Sequence, residues 1–184
     1  MPTGRPDPAA VFARRDGFTA HHDDAGQVRW LTDLPADLVR GTGRITGVRQ
    51  VTVTRPDGPP VTVTATRAVV VATGTAAALP PVPGLAGARP WTSREATSAS
   101  VVPGRLAVLR GGVVACELAQ AYAGLGSEVT MLVRGGGLLT RFESFAGELV
   151  AAGLAAAGVR IRIGRTPERV DRTDAQTVTV LLDD

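Results

Sequence analysis

The sequence predicts an α/β fold: a parallel, doubly wound sheet with an antiparallel hairpin beside it. Two observations carry this. From Leu106 to Leu182, apolar runs of strand length alternate with apolar segments of helical spacing, and strands alternating with helices build parallel sheets. Ahead of them, Val48 to Thr54 and Val61 to Thr66 alternate residue by residue. Arg55-Pro56-Asp57-Gly58-Pro59-Pro60 separates the two stretches with strong turn chemistry, so they read as an antiparallel hairpin.

In chain order, residues 1–27 have no sustained period and read as a poorly structured lead-in, with Val11 to Arg15 fitting the end of a helix. His21-His22-Asp23-Asp24 reads as a solvated turn, because adjacent residues share no helix face for a metal. Leu38 to Arg40 reads as a short strand leading into Gly41-Thr42-Gly43-Arg44. Ala68 to Ala72 is a continuous apolar run, expected as a strand buried on both faces and ending at Thr73-Gly74-Thr75. A Pro-rich connector, Ala78 to Gly84, follows. The expected domains are 28–102 and 103–184. The second holds strand 106–110, helix 113–125, strand 128–133, a Gly135-Gly136-Gly137 loop, helix 144–157 and strand 159–163. An alternating pair, 168–172 and 177–182, ends it. Asp183-Asp184 directly follow an apolar strand, so the sheet is expected to be incomplete there.

Composition narrows the function classes. The 184 residues suffice for one large domain or two small ones, and 44% are hydrophobic, enough for a core. No apolar run reaches the length of about 18 residues that a membrane helix needs. Met1 to Ala10 is Pro-rich and polar, unlike a secretory signal, so a cytoplasmic location is the default. One cysteine, Cys116, makes no disulfide pair within the chain and reads as a small buried hydrophobe. The net charge is +3, and every one of the twenty basic residues is Arg. Complete absence of Lys and Asn reads as the codon bias of a GC-rich genome. The arginines are scattered among acids and aromatics make up only 4%, so no nucleic-acid partner is expected.

The chemistry concentrates in Val108-Leu109-Arg110-Gly111-Gly112-Val113-Val114-Ala115-Cys116-Glu117-Leu118-Ala119. An apolar strand enters a Gly-rich turn, and the turn opens a helix. In a Rossmann-like βαβ unit, backbone N–H groups at such a helix start meet a dinucleotide pyrophosphate. Against the pattern G-x-G-x-x-G/A, Gly112 and Ala115 stand at the second and third places, while Arg110 holds the first. A Gly-rich turn with no ligand accounts for this segment equally well.

Motif order then brings a family into view. Gly41-Thr42-Gly43-Arg44-Ile45 is followed by the Asp57-Gly58 hairpin, then by Val70-Val71-Ala72-Thr73-Gly74-Thr75 leading to Pro83-Gly84. Next come Gly111 to Gln120 and Leu125-Gly126-Ser127-Glu128-Val129-Thr130. Over roughly residues 28 to 182 the chain resembles the middle of the flavin-dependent pyridine nucleotide-disulphide oxidoreductases, the family of dihydrolipoamide dehydrogenase, glutathione reductase and mercuric reductase. The resemblance implies a three-layer FAD/NAD(P)-binding fold, represented here in part and incomplete at both ends. It also implies that hydride passes from a nicotinamide cofactor to FAD, and electrons then pass to a disulphide or metal ion.

Residue roles follow from that resemblance. Gly41 and Gly43 would approach the FAD adenine, and Thr73, Gly74 and Thr75 would close over the flavin cofactor. Arg110, Gly111, Gly112, Val113 and Val114 would surround the nicotinamide cofactor's pyrophosphate, with Glu117 near the nicotinamide and flavin. NAD enzymes carry an acid at the end of the second strand for the ribose 2′-OH. Here Val133 and Arg134 stand there, with Arg141 beyond the glycine loop. A guanidinium suits a 2′-phosphate, so NADP is expected over NAD. Arg110 either fills the pyrophosphate site or contacts phosphate.

The family's redox Cys pair, first FAD fingerprint and His–Glu dimerisation domain find no match here. The expectation is therefore a catalytically incomplete form of a homodimeric oxidoreductase. The alternatives are a non-catalytic nucleotide-binding module and a degenerate remnant.

Overall fold

The computed structural model describes residues 4–174 and 176–183. Its chain forms two compact units: Asp16–Ala76, and Met1–Arg15 together with Ala77–Asp184.

The smaller unit centres on a three-stranded antiparallel meander of β1 (Thr42–Gly47), β2 (Gln50–Thr54) and β3 (Val61–Thr64). Val53 pairs Val61 and Gln50 pairs Thr64, which is the hairpin its alternation requires. One face carries threonines that bridge all three strands, Thr46 to Thr52 at 3.0 Å and Thr52 to Thr62 at 2.9 Å. The strand expected at 38–40 lies instead at 42–47, so Gly43 sits within a strand rather than in a loop. Thr42, Arg44 and Thr46 alternate with Gly43 and Ile45, and this period of two pairs with β2. Before the meander, α2 (Ala25–Thr32) follows a short left-handed turn at Ala20, His21 and His22.

The apolar run 68–72 is not a strand. Val70 is 84% and Val71 65% exposed. A strand buried on both faces needs hydrogen-bonded neighbours on both edges. Among the described strands none pairs with it, and all of its residues but the half-buried Val69 are exposed.

α1 (Pro8–Phe18), which begins in the larger unit, stands where a poorly structured lead-in was expected and contains the helix end read at Val11 to Arg15. Pro8 opens it, where a missing N–H costs nothing, and Asp7 Oδ1 accepts from Ala9 N–H at 3.0 Å. No α1 residue is buried, yet Arg15 donates to the Thr97 and Ala99 carbonyls at 3.2 and 2.6 Å.

A parallel sheet follows, in the order β4 (Arg105–Leu109), β5 (Glu128–Val133), β6 (Arg160–Ile163). Helices α4 (Val113–Gly124) and α5 (Ser144–Ala156) connect its strands. These elements match the sequence reading to within a residue or two at their ends. Val129, Met131 and Val133 project from alternate positions of β5 into one core with Cys116, Ala119 and Tyr122 of α4 and Leu154 of α5. The antiparallel pair β7 (Pro167–Arg172) and β8 (Val178–Leu182) closes the unit.

Residues 77–102 belong with this sheet, not with the meander. Leu85 and Ala88 bury against Val170 in a second core. Arg172 donates to the Ala88 carbonyl at 2.8 Å. Tyr122 Oη donates to the Ala96 carbonyl at 2.8 Å, and the Trp91 ring lies 5.9 Å from that of Tyr122. These contacts move the division from residue 103 to about residue 77.

A short helix, α3 (Ser93–Ser98), went unread in the sequence, although Thr92-Ser93-Arg94-Glu95 spells a capping box. Thr92 Oγ1 and N–H donate to Glu95 Oε2 at 2.5 and 2.7 Å. These bonds, the side-chain one first, hold the Glu95 carboxyl below its ordinary value of 4.5. A depressed carboxyl stabilises above its unfolded value, and that stability disappears as pH falls through its folded value. The Arg94 and Ala96 amide resonances should therefore shift toward random-coil positions below about pH 4.5. Glu95→Gln should remove that pH dependence, and an unchanged titration in the variant would assign it elsewhere.

Candidate functional site

The turn between β4 and α4 is built by packing. Gly111 is half-buried, and a methyl group on it would lie 2.7 Å from Leu138 Cδ2 and 3.1 Å from Val133 Cγ1. Leu139 N–H donates to the Gly111 carbonyl at 2.8 Å, so the 135–140 loop is latched to the turn. Gly147 of α5 admits the Leu138 carbonyl, which a Cβ there would strike. Cys116 faces inward with its thiol 3.7 Å from the Gly111 carbonyl oxygen. Burial first, and the Glu117 charge second, push this thiol up, so it stays protonated and unreactive.

Gly112 is the N-cap of α4, with extended backbone at φ −79° and ψ 178°. Among the described residues no side chain caps this helix. The first helical acceptor pair is Cys116 N–H to the Gly112 carbonyl, which leaves the N–H groups of Val113, Val114 and Ala115 at an open end. Apart from its own chain neighbours, no described residue comes within 4 Å of where a Gly112 Cβ would stand. Unspent N–H donors, the positive end of the helix dipole and clear space fit a phosphate oxyanion.

Arg110 occupies the first glycine place and takes the glycine conformation, with φ +83°. Its N–H donates to the Leu132 carbonyl at 2.9 Å, so the turn closes normally despite the side chain. Glu117 is exposed one turn into α4. Arg134 and Arg141 are exposed at the two ends of the glycine loop. Within that loop Gly135 lies against Thr140, its Cβ position 3.9 Å from Thr140 Cγ2. Arg110 to Val114 follow the carboxyl end of β4 and Arg134 follows that of β5, while Arg141 lies beyond the 135–140 loop.

The five residues expected on the flavin side lie in the other unit and are less constrained. Gly41 has φ +148°, and a Cβ there would collide with the Thr54 carbonyl and lie 2.8 Å from Val53 Cγ1. Its missing side chain admits its own neighbouring strand, a reason that the glycine spacing alone does not disclose. Gly43 meets only Val51 Cγ1, at 3.5 Å. Thr73, Gly74 and Thr75 are exposed and outside regular structure, and Gly74 needs its glycine for φ +67°.

The family model for pyridine nucleotide-disulphide oxidoreductases matches residues 8–184. The chain belongs to this family. A mercuric reductase of Acidithiobacillus ferrooxidans is 40% identical over 141 residues, covering 77% of this chain and 25% of that protein. A glutathione reductase of Burkholderia cepacia is 32% identical over 164 residues, covering 89% of this chain and 34% of that protein. The chain thus spans about a quarter to a third of these relatives. Among solved structures, the HOCl-induced flavoprotein disulfide reductase RclA from Escherichia coli superposes with a TM-score of 0.79 over 96% of this chain and 40% of that one, at 22% identity. LpdA from Mycobacterium tuberculosis superposes with a TM-score of 0.75 over 97% and 40%, at 22% identity. These structures establish a shared fold. Members of this family bind FAD and a nicotinamide dinucleotide. Among the described residues no helix is long and apolar enough to cross a membrane.

Proposed function

We propose that this chain forms the nicotinamide-nucleotide unit, with part of the flavin unit, of an oxidoreductase that draws hydride from NADPH. Its second cofactor would be FAD, and its terminal acceptor a disulphide or a metal ion. The open α4 N-terminus behind Gly112 carries this reading, together with Val133-Arg134 at the end of β5 where an NAD enzyme needs an acid. The N–H groups of Val113 and Val114 would hold the pyrophosphate, and Gly112 would let it approach the backbone. Arg134 and Arg141 would clasp the 2′-phosphate with planar forks of donors. Glu117 would orient the nicotinamide end from the exposed face of α4. Gly41, Gly43, Thr73, Gly74 and Thr75 would face FAD, a placement supported by family membership alone. Bound nicotinamide supplies the hydride and bound flavin accepts it.

One observation favours a narrower second reading. The chain contains a single cysteine, and it is buried. On this second reading the chain would bind the nucleotide without carrying the disulphide step, as a nucleotide-binding module.

Calorimetric titration of the chain with NADPH and NADH tests the proposal. NADPH should bind at least about tenfold more tightly, a difference near 1.4 kcal/mol. Arg134→Ser should remove most of that preference by weakening NADPH and sparing NADH. Equal affinities in the unaltered chain would overturn the choice of NADPH.

A further inference from the structure

We propose that the outer face of α5 is a contact surface for a second copy of this chain, joined antiparallel about a two-fold axis at Leu149. Of the 13 residues of α5, only Ser144 and Glu148 are polar. One side of the helix meets the core through Gly147, Val150, Ala151 and Leu154. The opposite side is as apolar, yet it faces solvent. Phe145 is 61% and Leu149 69% exposed, and Ala152, Gly153 and Ala156 are exposed beside them. A surface helix keeps polar residues on its outer side, whereas a helix that is apolar all round is one covered on both sides. No described residue supplies that second cover.

Residue size along one row selects the occupant. Side chains four apart on a helix form a ridge, and ridges pack into grooves. Phe145, Leu149 and Gly153 make such a row, graded from large to small, with Leu149 midway. Turned antiparallel about Leu149, the row is complementary to itself: each Phe145 ring falls opposite the partner's Gly153, and the two Leu149 side chains meet on the axis. A two-fold contact has this form, in which one patch serves both copies. Gly153 otherwise has no purpose. Glycine weakens a helix interior, and no described atom beyond its own helix lies within 4 Å of where a Cβ would stand. Charge favours the same arrangement. No basic residue in the last turn of α5 answers the negative end of its dipole, and antiparallel pairing sets the partner's positive helix start near that end. One helix face per copy is smaller than the usual stable interface, so the expected dissociation constant is on the order of 50 μM.

Sedimentation velocity of the full chain, over concentrations that bracket about 50 μM, tests the proposal beside two variants and their thermal melts. The unaltered chain should pass from one copy to two as concentration rises. Gly153→Phe sets ring against ring and should weaken the dimer at least about tenfold. It should melt no lower, because the site is open and glycine leaves a helix interior. Combining Phe145→Ala with Gly153→Phe exchanges the large and small places, and should bring the dimer back to within about threefold of the unaltered chain. A chain that stays monomeric throughout would overturn the proposal, leaving the face to some other cover. A dimer indifferent to Gly153→Phe would place the contact elsewhere and overturn it too. Loss in the single variant without recovery in the double one would refute the antiparallel register, and the proposal with it. Growth beyond two copies would do the same, since a two-fold contact closes on itself.

Discussion

Gly84→Ala should destabilise the Ala77–Asp184 segment by at least about 3 kcal/mol. Gly84 has φ +77°, and a Cβ built on it collides with the Val170 carbonyl oxygen. That carbonyl belongs to a close backbone pairing, in which Val170 N–H donates to the Pro83 carbonyl at 2.9 Å. No flexible side chain is available to move aside. Relief requires separating β7 from the 82–88 segment, and with it the core of Leu85, Ala88 and Val170. In a chain of this size, each kcal/mol corresponds to a fall in melting temperature of about 2–4 °C. A fall of roughly 6–12 °C is therefore expected. A change under about 2 °C would show that the pairing yields easily and that the second core does not depend on it.

Gly112→Asp should separate folding from binding. Gly112 has extended backbone that any residue adopts, and open space stands before it. An aspartate there caps the uncapped α4 N-terminus, so the melting temperature should stay level or rise slightly. The same carboxylate places a negative charge where a pyrophosphate would sit, and it occupies the free N–H donors. Affinity for NADPH and NADH should fall by at least about a hundredfold, close to 2.7 kcal/mol. Calorimetric titration beside a thermal melt reads both effects. Unchanged affinity in a folded variant would move the nucleotide away from this turn.

These two glycines differ in how legible they are. The alternation of strands and helices from 105 to 163 marks Gly112 as the start of a helix, and helix starts bind anions for reasons internal to the helix. Gly84 sits in a Pro-rich connector whose glycine has no local purpose. Its reason lies at Val170, 86 residues along the chain. Gly41 is similar, since the Thr54 carbonyl is what excludes a side chain there. The Ala68–Ala72 run illustrates the opposite failure. Its apolar content describes a buried strand, but burial needs neighbouring strands, and composition does not supply them.

Sequence by itself determined the β4–α4–β5–α5–β6 unit, the 50–54/61–64 hairpin and the family. Each depends on short-range periodicity or on motif order, which the chain carries locally. Only the tertiary structure decided that residues 77–102 join the larger unit, that Arg110 accepts a glycine conformation, and that the loop before Leu139 is latched to the Gly111 turn. Those outcomes rest on hydrogen bonds between distant backbone groups: Val170 to Pro83, Arg110 to Leu132, Leu139 to Gly111. Backbone groups are the same in every residue, so pairings among them leave almost no mark on side-chain pattern.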